Sequence, residues 1–183
     1  MLRIGLASDS HGNVDALALA LDIFARVGAE RVFFLGGCAA DVDAALGRRR
    51  SAGPDPLAGR ITRVASRACP EAALGAPTRA VDMLDAHLCL LVHDKADLGR
   101  DDIANAALLF HGKSDAAALV QIGPRAFVTP GHLRRDPPAG APATFAFLEL
   151  EGAELELVVF SAEGAELRRL RGSLASGARM SVK

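Results

Sequence analysis

The chain opens with a strand, a tight polar loop and a helix in immediate succession, and this order constrains the whole fold. Residues 2–6 are apolar and partly β-branched, the pattern of a short buried strand. Residues 14–21 are rich in Ala and Leu, strong helix formers. Between them lies Ala7-Ser8-Asp9-Ser10-His11-Gly12-Asn13. A second apolar run, residues 31–35, comes after the helix and Gly28. Strand, helix, strand with short joints is a βαβ unit, whose crossover is right-handed and whose strands are parallel. The sequence therefore predicts an α/β fold, in which ligands gather at the carboxyl ends of strands. Asp9 and His11 stand two residues apart on such a loop and can face one point, as metal or phosphate chemistry requires. The plainer alternative is that Asp9 and Asn13 only cap the helix while His11 points to solvent.

The bulk of the chain excludes several classes. At 183 residues, half of them hydrophobic, it can build the core of one domain. A net charge of −1 gives no general pull toward nucleic acid or anionic membranes. Trp and Tyr are absent, which removes the usual platforms for base stacking. No apolar run reaches the roughly 18 residues needed to span a bilayer. Cys38, Cys69 and Cys89 are isolated and odd in number, and no signal peptide is expected before the first strand. They read as reduced thiols of a cytoplasmic protein.

The remaining pattern continues the α/β theme. Residues 14–27 carry apolar side chains at helical spacing, with Gly28 placed to end the helix. Residues 41–48 predict a second helix, with Asp41 or Asp43 at its start and Arg48, Arg49 and Arg50 as a solvated end. Residues 51–59 form a loop, 61–65 a strand, and 70–77 an irregular stretch or short helix. Residues 79–84 and 87–92 flank Asp85-Ala86 as a hairpin, with a helix over 78–84 as the competing reading. A short helix over 101–106, strands over 107–110 and 126–129, a loop over 137–142 and a hairpin of 143–150 with 154–160 complete the domain. The boundary is expected at 161, with residues 162–183 as a partly ordered or flexible extension that frays from about Gly172.

Six strand ends now carry polar or Gly-rich loops: Asp9 to Asn13, Gly36 to Cys38, Ser66 to Pro70, His93-Asp94, His111 to Asp115, and Thr129-Pro130-Gly131-His132. Their order resembles the calcineurin-like metallophosphoesterases, especially the small single-domain bacterial phosphodiesterases. The resemblance implies an αββα sandwich, two mixed sheets flanked by helices. It also implies a pair of metals about 3.5–4 Å apart that clamp a phosphate and activate a bridging hydroxide. Carried over position by position, the ligand set is depleted. Asp9, His11 and His93 match family ligands. The bridging carboxylate falls on Gly37 and the Asn ligand on Ala68. The paired histidines fall on Lys113 and Asp115, and Arg67 adds another positive charge.

Two dications without a bridging anion repel one another. The resemblance therefore implies a vestigial site of Asp9, His11, Gly37, Ala68, His93, Lys113 and Asp115, with no catalytic residue and no cofactor. If any metal binds, one divalent Mn, Fe or Zn on Asp9, His11, His93 and Asp115 is the alternative. Lys113 is expected to pair with Asp9 or Asp115. Cys38 and Cys69 read as small buried groups more readily than as soft ligands beside His93. His111 reads as a strand-end residue. Asn13, Arg67, Lys113 and His132 are candidate anion binders. The preferred function is a catalytically inactive scaffold or interaction module whose partner is another protein, without nucleic-acid binding or membrane insertion. The alternatives are a weak single-metal phosphoesterase and a non-catalytic binder of a phosphorylated small molecule. Simultaneous loss of several ligands favours the first.

Overall fold

Alternation along the first strand sets the layers. Ile4 and Leu6 turn into one hydrophobic core, while Gly5 and Ala7 face the first helix. A Cβ at Gly5 would stand 2.6 Å from the Phe24 ring, so the helix packs this closely only because no side chain is there. In this computed structural model, residues 1–49, 55–73, 75–136, 140–175 and 181–182 are described. The elements run β1 (Leu2–Ala7), α1 (Val14–Arg26), β2 (Arg31–Phe34), α2 (Ala40–Arg48), β3 (Ile61–Arg63), α3 (Pro70–Ala73), β4 (Arg79–Leu84) and β5 (His87–Val92). They continue with α4 (Arg100–Asn105), β6 (Leu108–His111), β7 (Ala117–Ile122), β8 (Arg125–Pro130), β9 (Thr144–Glu151), β10 (Glu154–Ser161), β11 (Glu166–Ser173) and β12 (Ser181–Val182).

These strands form two six-stranded mixed sheets, in the orders β11-β10-β9-β1-β2-β3 and β12-β7-β8-β6-β5-β4. The strands β1, β2 and β3 are parallel, as are β5, β6 and β8. The two sheets bury Ile4, Leu6, Phe33, Leu91, Phe110, Val128 and Leu148 between them. Phe33 and Phe110 meet edge-on, with ring centroids 5.1 Å apart. On the far side of the first sheet, α1 and α2 cover Val32, Phe34, Phe145 and Phe147. A smaller cluster of Leu90, Ala106 and Leu109 packs with Leu98 and Phe127. The result is the αββα sandwich expected from the order of the loops. Among the described residues no helix is long and apolar enough to cross a membrane.

The structure departs from the sequence pattern in three places. First, β7 was not foreseen, because its two alanines are poor strand formers; it alternates buried Ala117, Leu119 and Gln121 with more open neighbours. Second, the chain does not leave the fold at 161. Residues Glu166–Ser173 pair antiparallel with β10 as the edge of the first sheet. Only Leu170 of that strand is buried, and its arginines, two of which pair with Glu156, keep the edge charged. Those charges hid the strand. Gly172 and Ser173 belong to it, and Ser181 and Val182 pair with Gln121 and Val120; the rest of the expected fraying at 176–180 and 183 lies outside the described residues. Third, the helix end expected to be solvated is tied down at Arg48 and Arg49. Arg48 pairs with Asp15, and Arg49 bonds Asp22 at 2.8 Å and Asp55 at 2.9 Å. Arg50, residues 51–54 of the expected loop and 137–139 of the later one lie outside the described residues.

Candidate functional site

The carboxyl ends of β1, β2, β5, β6 and β8 converge, and the loop after β1 is the centre of that convergence. Its backbone is unusual. Asp9 and His11 have φ of 52° and 42°, in the left-handed region, as does Lys113 after β6 at 47°. Such conformations persist where surroundings hold them. Here the Asp9 N–H donates to the Gly36 carbonyl at 2.9 Å. Asp41 in the first turn of α2 is buried and accepts from Ser10 Oγ at 2.6 Å and from the Gly12 N–H at 2.8 Å. Asn13 precedes α1 but makes no side-chain cap. Its Nδ2 donates to the Leu133 carbonyl, and its Oδ1 accepts from Arg135.

Asp9 is fully buried and fully engaged. Oδ2 accepts from Ser8 Oγ at 2.6 Å and from the backbone N–H of Lys113 at 2.9 Å. Oδ1 accepts from Arg134 Nη2 at 3.1 Å and from His11 Nε2 at 3.3 Å. His93 donates from Nδ1 to the Leu35 carbonyl at 2.9 Å, which turns its Nε2 to within 3.8 Å of the same Oδ1. Burial alone would raise the Asp9 pKa, but the Ser8 hydroxyl, the His93 ring, the Lys113 amide and Arg134 together hold it below the ordinary aspartate value.

Gly36 and Gly37 both sit at φ 102°. A Cβ at Gly36 would fall 2.1 Å from His93 Nδ1, and one at Gly37 3.2 Å from Asp9 Cα. A carboxylate at position 37 would therefore need a backbone that L residues rarely adopt. At the rim, Cys38 and Cys69 both point their thiols at Glu71, with sulfur–oxygen distances of 3.2 and 3.7 Å. Glu71 also accepts the N–H groups of Ala39 and Ala40 at 2.7 and 3.0 Å, which makes it the acidic cap of α2. Burial, then Glu71, pushes the Cys38 thiol pKa up.

The structure thus gathers Asp9, His11, Gly37, Ala68, His93 and Lys113 around one cleft of about 320 Å³, with Arg134 on its wall. Four expected members are elsewhere. Arg67 pairs with Asp97 at 3.0 Å and does not line the cleft. Asp115 is exposed and outside it. Asn13 is spent on Leu133 and Arg135. His132 is buried, its Nδ1 accepts the Arg134 N–H at 3.2 Å, and burial followed by the charge of Arg134 lowers its pKa. Lys113 touches Asp9 through its backbone, whereas its Nζ pairs with Asp94. The expected pairing of its side chain with Asp9 or Asp115 is corrected: the left-handed turn at Lys113 aims the amide inward and the long side chain at Asp94. His111 is a buried strand-end residue whose Nδ1 donates to the Gly112 carbonyl.

A family profile of the calcineurin-like phosphoesterase superfamily domain matches residues 2–153. The chain belongs to this superfamily. Several solved structures share its fold. A Streptococcus pneumoniae protein predicted to be a phosphoesterase is 18% identical, with a TM-score of 0.65 over 94% of this chain and 97% of that one. The phosphoesterase YfcE from E. coli is 21% identical, with a TM-score of 0.63 over 92% and 98%. Vps29 from Chaetomium thermophilum is 14% identical, with a TM-score of 0.68 over 94% and 99%. Among curated proteins none matches the chain.

The two-metal centre implied by the superfamily does not fit these donors. Gly37 and Ala68 offer no side-chain ligand, Asp115 lies outside the cleft, the Lys113 Nζ is turned to Asp94, and a guanidinium already sits on Asp9. Among the described residues no group of three or more His, Cys, Asp or Glu is arranged to hold a metal ion. Sequence reasoning missed Arg134, Asp41 and Glu71. The signal for Arg134 was its place two residues after the strand-end Pro130-Gly131-His132; Asp41 and Glu71 look in sequence like ordinary helix-start acids.

Proposed function

We propose that this chain is a metallophosphoesterase-fold protein whose site is catalytically silent and whose output is binding to another protein. The observation that carries the first half is the state of Asp9. The carboxylate that the fold offers to a metal is taken by Arg134, Ser8 and the Lys113 amide, and the backbone at Gly37 is set against a bridging acid. This reading needs no cofactor.

Two observations support the second half. The scaffold around the altered loops is intact, with a continuous core between the sheets. At the open edge of the second sheet, β4 presents Val81 and Met83, 59% and 52% exposed, beside a cleft of about 250 Å³ floored by Leu88 and Leu90. Exposed apolar side chains at an unpaired sheet edge are what a partner can cover. Vps29 from Chaetomium thermophilum, which shares this fold, has been crystallised in complex with a cyclic peptide. Three free thiols suit a cytoplasmic setting.

Functional replacement tests this reading. In cells lacking the chain, an Asp9→Asn, His93→Asn variant should restore the phenotype as wild type does, and a Val81→Asp, Met83→Asp variant should not. Loss of phenotype from the site variant, with its fold intact by circular dichroism, would count for a working phosphoesterase instead.

A further inference from the structure

The Asp9 carboxylate is buried, and a buried carboxylate must be balanced by something. Two imidazole nitrogens stand 3.3 and 3.8 Å from its Oδ1. That oxygen is where a cation would sit, since Oδ2 is closed by the Ser8 hydroxyl and the Lys113 amide. Arg134 Nη2 occupies this side at 3.1 Å.

Its arrival there is fixed by one backbone and two side-chain hydrogen bonds around it. The Leu133 N–H donates to the Ser8 carbonyl at 3.0 Å, Asn13 Nδ2 donates to the Leu133 carbonyl at 2.8 Å, and the Arg134 N–H donates to His132 Nδ1. The first two bonds lace the loop after β8 to the loop after β1, immediately before Arg134, and the third fixes the turn at Arg134 itself. The guanidinium Nε is buried without a partner, a cost accepted while Nη2 faces Asp9. A guanidinium is always charged and carries directional donors, so it can hold this position at any working pH.

We propose that Arg134 is a resident cation that takes the place of a metal ion at Asp9, so that the site's charge is balanced by the chain itself and the cleft is closed to divalent ions. The inference rests on the silent-site reading and explains how the site remains folded without its metals. Removing the guanidinium leaves Asp9 with an unbalanced negative charge and with two imidazole nitrogens within 3.8 Å of its Oδ1, and a divalent ion taking oxygen and nitrogen donors can then restore the balance that Arg134 supplies.

The test is equilibrium dialysis of the full chain against Mn²⁺ or Zn²⁺, followed by elemental analysis and thermal melting. Wild type should retain no more metal than an Asp9→Asn control. Arg134→Ala and Arg134→Gln should each gain about one equivalent, at least roughly tenfold more tightly than wild type, and metal should raise their melting temperatures. Asp9→Asn added to Arg134→Ala should abolish the gain, and Arg134→Lys should behave as wild type. The proposal is overturned if neither variant retains more metal than wild type. It is also overturned if wild type binds an equivalent as tightly as the variants. Phosphodiester turnover by wild type is a separate result, which removes the silent-site reading whatever the dialysis shows.

Discussion

Replacing Arg134 with Met tests the electrostatic account of the site, because it removes a charge and keeps the bulk. Asp9 has a side-chain exposure of 1%, while Arg134 retains 28%, so the loss falls on a carboxylate that water cannot rescue. Breaking a buried pair costs about 3–5 kcal/mol, and a hydrogen bond to a charged group contributes about 1.5–3 kcal/mol. Three donors remain on Asp9: Ser8 Oγ, the Lys113 amide and His11. Together with the partial exposure of Arg134 they set the expected cost near the lower range, about 2 kcal/mol. For a chain of this length that lowers the melting temperature by about 4–8 °C. The pH dependence has a definite sign. The folded pKa of Asp9 lies below the ordinary value of 3.8, so its stabilisation is present above that value and is lost as pH falls through the folded pKa. Without Arg134 the depression shrinks. Urea denaturation should then show the full gap between wild type and variant near pH 6 and a narrower gap at about pH 3. Lys113→Met is the matched control. Its side chain serves Asp94 and its backbone serves Asp9, so the gap should not appear. A gap below about 0.5 kcal/mol, or one that stays constant from about pH 6 to about pH 3, would refute the assignment of Arg134 to Asp9.

The same geometry sets three further outcomes. Gly36→Ala sets a Cβ 2.1 Å from His93 Nδ1 at a φ of 102°, and should destabilise the chain by about 3 kcal/mol in the same urea experiment. Glu71→Ala removes the acceptor at the start of α2 and should cost about 1 kcal/mol, read as a lower denaturation midpoint. Burial pushes the Cys89 thiol up to about 12, so alkylation of the native chain at neutral pH should label Cys38 and Cys69 and spare Cys89 until the chain is unfolded; prompt labelling of Cys89 in the native state would contradict its burial.

The sequence carried the scaffold well because the scaffold is written in local pattern. The run from β1 through α1 to β2, both hairpins and the loops at the strand ends all rest on periodicity and turn residues within a few positions of one another. Asp9, His11 and His93 were legible for the same reason: each lies just past a readable strand. The rest depends on distances in space that the sequence does not encode locally. Arg134 reaches Asp9 across 125 positions, held there by hydrogen bonds between two strand-end loops whose pairing with each other no local pattern shows. Asp41 reads as a helix-start acid, yet it clamps the loop of Ser10 and Gly12. Lys113 was legible as a nearby cation, but which of its atoms meets Asp9 turns on a backbone angle of 47°. The edge strand β11 was hidden because charged edges and solvent-exposed coil look alike in composition.

On the proposed reading, this superfamily member does not perform two-metal phosphoester chemistry. The most direct measurement is hydrolysis of bis-p-nitrophenyl phosphate by the full wild-type chain with excess Mn²⁺, beside an Asp9→Asn variant and a protein-free blank. All three rates should coincide. A wild-type rate that rises with Mn²⁺ and vanishes in Asp9→Asn would contradict it.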